Sequence, residues 1–225
     1  MFSILYVDEQ VRMQEDFELK VFLSKSLSDS SVTSLLPLKN LDEMVDSVLE
    51  MHSDVLVTDF KLDEHQSDVK YNGVDLARAI QLRKSNFPCF IITAYEDKAF
   101  SSHPDVNIVY DRKVVSDEFV QKRTDEEELI RDDFFKRVRI QIESYRYHLG
   151  ELQKEFNDLV RLSNSGSLNL RQEERLLELD DLIENYADKD SKLPSKSKTS
   201  EVQAQFSELM TETQSLIQKL KALDK

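Results

Sequence analysis

Tryptophan is absent from the 225-residue sequence, and glycine (3), proline (4), histidine (4) and cysteine (1) are scarce. Each scarcity excludes something. With so little glycine and proline, and 33% of residues charged, the chain has few tight turns and much helix. One cysteine forms no internal disulfide; Cys89, in the apolar run Pro88-Cys89-Phe90-Ile91-Ile92, reads as a reduced, buried structural thiol. His52, His65, His103 and His148 have no metal-ligand spacing and read as surface or satisfied histidines. A glycine-rich phosphate loop, a nucleophile elbow and a cysteine cluster are all missing. Basic residues are too few for a nucleic-acid surface: 30 Lys and Arg face 44 Asp and Glu, a net charge of −14. No window approaches the roughly 18 apolar residues of a membrane span, and the N-terminus has no basic segment followed by an apolar one. The expectation is a cytoplasmic protein that contacts neither membrane nor nucleic acid. Its length accommodates one domain of about 120 to 130 residues plus a second unit of comparable size.

What is present divides at about residue 128. The first part alternates short apolar strands with amphipathic helices. Phe2 to Val7 reads as a strand ending in Asp8-Glu9, and Phe17 and Val21 mark a helix after it. Val32 to Leu38 is a weaker strand, followed by a helix that Asn40 and Glu43 open as a capping box. Asp54 to Asp59 is an apolar run ending in a carboxylate, the pattern of a central parallel strand buried on both faces. A polar loop from Lys61 to Gly73 leads to a helix near Val74 to Arg83. Then come a strand at Phe90 to Thr93, a short helix near Glu96 to Ser101 and a strand at Val106 to Tyr110. Five strands with helical connections predict a doubly wound α/β parallel sheet whose site lies at the carboxyl ends of its strands.

Those ends carry Asp8 and Glu9, then Asp59, then Thr93-Ala94, then Tyr110-Asp111-Arg112-Lys113. Three carboxylates, a hydroxyl and a lysine would share one rim. Clustered carboxylates repel unless a cation sits among them, and a hard divalent ion such as Mg²⁺ suits oxygen ligands.

This ordered set resembles the site of the receiver domain of two-component response regulators, chemotaxis-regulator-like, over residues 1–128. The resemblance implies a flavodoxin-like receiver fold. It also implies that Asp8, Glu9, Asp59 and the Lys61 backbone carbonyl bind Mg²⁺ and that Asp59 accepts a phosphoryl group. Thr93 and Lys113 would hold phosphoryl oxygens, and Tyr110, three residues before Lys113, would be the switch aromatic that follows Thr93. A sensor histidine kinase or a histidine phosphotransfer protein would be the donor. No enzymatic activity is expected beyond the chain's own phosphorylation and dephosphorylation. Two departures from the family pattern stand out. Val114 follows Lys113 where the family usually has Pro, and the segment between Asp59 and Gly73 is about six residues longer than usual. That insertion, 63–72, reads as a solvated surface loop beside the site.

From Thr124 onward no strand pattern recurs. Helices are expected from Thr124 to about Leu162, from Leu170 to Tyr186 and from Glu201 to Leu223, with a hinge at 163–167 and a polar linker at 187–200. Residues 129–225 thus read as an α-helical coiled-coil or bundle region for interaction or dimerisation. Residues 1–119 hold 12 basic against 22 acidic residues and 120–225 hold 18 against 22, so neither part suits a DNA-binding output. Val138, Ile142, Tyr145, Leu149, Leu152, Phe156 and Leu159 recur at steps of four and three, and Val202 to Leu223 repeats the pattern. Such a stripe must be covered by other helices of the chain or by a second chain, and a homodimer is the favoured expectation. Output would then pass to an unidentified protein partner; the alternative is a phosphate sink or shuttle whose helices are purely structural.

Overall fold

The computed structural model describes residues 1–64, 68–94, 108–115 and 125–188, with side chains in the last segment from 129 on. Five strands, β1 (Ser3–Val7), β2 (Ser31–Leu35), β3 (Val55–Asp59), β4 (Cys89–Thr93) and β5 (Val109–Asp111), form one parallel sheet in the order β2-β1-β3-β4-β5. Around it lie α1 (Val11–Leu23), α2 (Leu41–Glu50), α3 (Gly73–Arg83) and α4 (Asp125–Asn164), and α5 (Leu170–Ala187) follows. This is the expected doubly wound, flavodoxin-like α/β fold with a helical C-terminal part.

The period-two alternation of the strands divides the core into two layers. Leu5, Val7, Leu56, Cys89 and Ile91 face Met44, Val45 and Val48 of α2 and Leu76, Ala77 and Ile80 of α3. On the opposite face Ile4, Tyr6, Val55, Val57, Phe90 and Ile92 meet Phe17 and Val21 of α1 and Phe134, Phe135, Val138 and Ile142 of α4. Tyr6 stacks on Phe17 with ring centroids 4.1 Å apart. All five residues of β3 and of β4 are buried, as strands covered on both faces require. Cys89 lies among them, and burial pushes its thiol far up.

α4 is one continuous 40-residue helix, so the expected boundary at 128 falls inside it. Its apolar stripe packs within the chain, buried at Val138, Ile142 and Leu159 and half-buried at Tyr145, Leu149, Leu152 and Phe156. Val138 and Ile142 lie on the sheet, the Tyr145 ring meets Phe87 edge-on at 6.0 Å and Tyr186 at 5.1 Å, and Leu159 is buried. Asn169 and Gln172 form a capping box that starts α5, which turns back along α4; Arg175 forks Glu155 with two bonds of 2.8 Å. The end of α5 reaches the amino-terminal edge of the sheet, where Ser85 N–H donates to Asn185 O at 2.7 Å and Arg83 forks Asp188. Arg146 of α4 likewise forks Asp54, just before β3, at 2.9 and 2.6 Å. Met1–Lys189 accordingly make one compact unit. The helix expected at 201–223, its heptad stripe and most of the 187–200 linker lie outside the described residues, as does the short helix expected at 96–101.

The segment expected to be a solvated loop keeps its described charged residues exposed but is anchored by apolar ones. Leu62, Val69 and Tyr71 are buried, and the Tyr71 hydroxyl donates to Leu38 O at 2.7 Å; Asp63 and Glu64 remain at the surface. An apolar residue near each end of the insertion explains the anchoring, since burying it draws the backbone in.

Candidate functional site

β1 and β3 pair in the middle of the sheet, and so their carboxyl ends lie side by side. Asp8 follows β1 and is fully buried. The Tyr6 hydroxyl donates to its Oδ2 and the Gln10 N–H to its Oδ1, both at 2.8 Å. Asp59 is the last residue of β3 and only 1% exposed. Its Oδ2 accepts the Lys61 N–H at 2.9 Å and its Oδ1 accepts Nη2 of Arg112 at 2.6 Å. Thr93 ends β4, fully buried, one register step beyond the Asp59–Ile92 pair. Glu9 is buried beside Asp8. The two strand-end aspartates and Thr93 are therefore brought together as the sequence expects.

Burial dominates the electrostatics here. It raises the Asp59 carboxyl to about 6, with the charge of Arg112 opposing and that of Asp8 assisting. Asp8 is raised as well, mainly by burial, against the bonds from Gln10 and Tyr6 and the charge of Arg112. Burial and then the Asp8 charge push Tyr6 well up, so its hydroxyl stays protonated as a donor. For Arg112 burial works downward, yet the charge and hydrogen bond of Asp59 and the charge of Asp8 outweigh it and raise the guanidinium.

The basic residue paired with Asp59 is Arg112. Lys113 is 70% exposed and pairs with Asp111 at 3.2 Å, whose carboxylate also caps the Lys113 N–H at 2.8 Å. Arg112–Val114 form a single 3₁₀ turn. With 3.0 residues per turn, successive side chains diverge by about 120°, so a turn that aims Arg112 at the site aims Lys113 away from it. Val114, in the place usually held by proline, and Val115 are buried beneath the turn. Lys113 was expected as the lysine after the fifth strand; the extra basic residue beside it was the available signal for Arg112. Tyr6 was also missed, although it lies two residues before Asp8 and hence on the same side of the strand.

Tyr110 sits on β5 with its ring 5.8 Å from Phe90 and 4.9 Å from Phe134 of α4. The position expected for a switch aromatic thus touches the long helix directly.

The expected Mg²⁺ ligands do not assemble in this arrangement. Among the described residues no three Asp, Glu, His or Cys side chains converge closely enough to hold a metal ion. All four oxygens of Asp8 and Asp59 accept hydrogen bonds from the protein, and the positive charge beside them is that of Arg112. Among the described residues no helix is long and apolar enough to cross a membrane.

No family model matches the chain, and no curated protein matches it. Among solved structures, the crystal structure of the anti-anti-sigma factor PhyR from Bartonella quintana resembles it with a TM-score of 0.41 at 14% identity, over 67% of this chain and 50% of that one. The chain spans half the length of that protein. The five-stranded parallel sheet fits a receiver-like fold.

Proposed function

We propose that the chain is a phosphoryl-accepting signalling protein in which Asp59 takes a phosphoryl group from a sensor histidine kinase or a histidine phosphotransfer protein. One observation carries this reading. A buried carboxylate ends the central strand, held by a backbone amide on one oxygen and a cation on the other, with the Thr93 hydroxyl on the adjacent strand end. A carboxylate is a weak nucleophile toward phosphorus unless the charge on the three equatorial oxygens is neutralised. Protein groups for that purpose are present: a guanidinium, the N–H groups after β3 and the Thr93 hydroxyl. An Asp59 oxygen forms the new O–P bond as the N–P bond to the donor imidazole breaks, its electron pair returning to the imidazole nitrogen. The Mg²⁺ expected on Asp8, Glu9, Asp59 and the Lys61 carbonyl stays outside this account, because the residues as arranged do not fit it.

Output through contacts with a protein partner, rather than a sink or shuttle role, is favoured by the contact of Tyr110 with Phe134. It joins the site to a helix that continues far beyond the sheet. A homodimer remains our proposal for the heptad stripe from Val202 to Leu223, whereas the stripe of α4 packs largely within the chain.

Incubation with acetyl phosphate or phosphoramidate, with and without Mg²⁺, tests the reading by intact mass. The full chain should gain one phosphoryl group and Asp59→Ala should gain none. A group found on a different aspartate, or no gain from either donor under both conditions, refutes it.

A further inference from the structure

We infer that Arg112, and not Lys113, is the cation that contacts the phosphoryl group on Asp59, and that its ion pair with Asp59 closes the site until a donor arrives. The inference rests on the proposed phosphorylation of Asp59 and adds which side chain recognises the group.

Two observations converge on Arg112. Its Nη2 lies 2.6 Å from Asp59 Oδ1, a short charge-assisted bond to the atom type that would carry the phosphoryl group. Its Nε is buried and has no hydrogen-bond partner. A guanidinium has five N–H donors in a fixed fork, and a buried donor left unsatisfied costs about 1–3 kcal/mol. A single carboxylate oxygen leaves that fork underused. A tetrahedral phosphoryl group brings three acceptor oxygens, enough for a second bond through Nε or the other terminal nitrogen. Arginine suits this geometry better than lysine, whose ammonium is a point charge.

The turn that carries Arg112 is also held in place. Val115 N–H donates to Arg112 O at 3.0 Å, and Arg131 Nε of α4 donates to Val114 O at 3.2 Å in a buried bond. Val114 and Val115 are packed beneath it. Bringing Lys113 inward would require rotating the turn by about 120°, which breaks these bonds and drives Arg112 out of the site. Lys113 already has Asp111 as its partner in the exposed position.

The same contact makes Arg112 a gate. Asp59 is almost wholly buried, and its Oδ1 is covered by a guanidinium that is itself only 18% exposed. Attack on phosphorus requires that oxygen to be uncovered, so the guanidinium must shift from the carboxylate to the incoming phosphoryl oxygens. It remains next to Asp59 throughout, trading one anion for another.

The test compares Arg112→Gln, Arg112→Lys and Lys113→Gln in the full chain, each with phosphoramidate and with acetyl phosphate. Phosphorylation of Asp59 is followed by intact mass and peptide mapping, and each variant's fold is checked by thermal unfolding. Arg112→Gln should slow phosphoryl gain by about tenfold or more relative to Lys113→Gln, and Arg112→Lys, which retains charge but not the fork, should fall between them. A folded Lys113→Gln that loses as much as Arg112→Gln, or more, overturns the assignment while leaving Asp59 as the acceptor. Arg112→Gln at the wild-type rate or faster does the same. Wild-type chain that gains no phosphoryl group from either donor overturns both the assignment and the function it rests on.

Discussion

Replacing a glycine with alanine should have opposite effects at two positions of this chain, and the contrast tests the packing that holds Asp59. Gly73 is the first residue of α3, and a Cβ there would lie 2.0 Å from Asp59 O, with Asp59 C and Thr58 Cγ2 both at 3.0 Å. Ordinary carbon–oxygen contacts begin at about 3.3 Å, so α3 and the end of β3 would have to part by roughly 1.3 Å. Neither side yields easily. Gly73 N–H donates to Phe60 O at 2.8 Å, the Asn72 and Asp75 capping box fixes the start of the helix, and Asp59 is paired to β4. Overpacking of this kind costs about 1–3 kcal/mol or more, against at most about 1 kcal/mol gained from the helix preference of alanine. Gly73→Ala should therefore lose about 2 kcal/mol. At Gly150, inside α4, a Cβ would meet nothing within 4 Å, and Gly150→Ala should gain up to about 1 kcal/mol. Urea denaturation reads both as shifts of the midpoint at constant slope. Gly73→Ala as stable as the parent would show that α3 does not approach β3 as described, and Gly150→Ala equally damaged would show that α4 is not open at Gly150.

Three further outcomes follow from the structure. Because Asp59 titrates near 6 when folded and near 3.8 otherwise, the folded chain retains a proton between about pH 4 and 6 that the unfolded chain has released. Its contribution to stability is therefore present at low pH and falls by about 3 kcal/mol as pH rises through that window. The stability of Asp59→Asn relative to wild type, measured in chelator, should rise across the same window; a flat difference refutes the shift. Tyr145→Phe keeps the ring contacts but removes the 2.8 Å bond to Tyr186 O, and should cost about 1 kcal/mol in the same denaturation assay, an unchanged midpoint meaning that α5 does not dock there. Sedimentation at tens of micromolar should find residues 1–189 monomeric and the full chain dimeric; a dimer of the shorter chain would mean that the α4 stripe is covered by a partner.

Where burial on both faces dictated the residue types, the sequence was a sufficient guide. The runs that became β1, β3 and β4 are apolar because helices cover both sides of them, and Asp8, Asp59 and Thr93 mark the places where those runs end. The rim of the site followed from the order of the strands alone. The choice between Arg112 and Lys113 did not, because it depends on one turn of 3₁₀ helix and no hydrophobic periodicity reports a three-residue turn. The anchoring of the loop before Gly73 was not legible for a related reason. Charged residues dominate its composition, but Val69 and Tyr71 decide its path by entering the core.

The helical half shows a different kind of ambiguity. Steps of four and three along α4 say that a seam must be covered, and they say it equally for a partner chain and for a fold-back. What distinguishes the two lies off the seam. Arg146 sits one position beyond Tyr145, where a symmetric coiled coil would leave it to solvent, and it forks Asp54, whose other duty is to accept the Ser3 N–H at 2.8 Å. Arg83 similarly joins α3 to Asp188 and to Asp46 of α2. An Arg–carboxylate fork has a directional geometry that a periodic stripe lacks, and these two, the exposed Arg146–Asp54 and the part-buried Arg83–Asp188, link the helices to the edge of the sheet opposite Asp59. α4 therefore contacts both ends of the sheet, Tyr110 through Phe134 at one and Phe87 through Tyr145 at the other, with eleven residues or about 16 Å of helix between them.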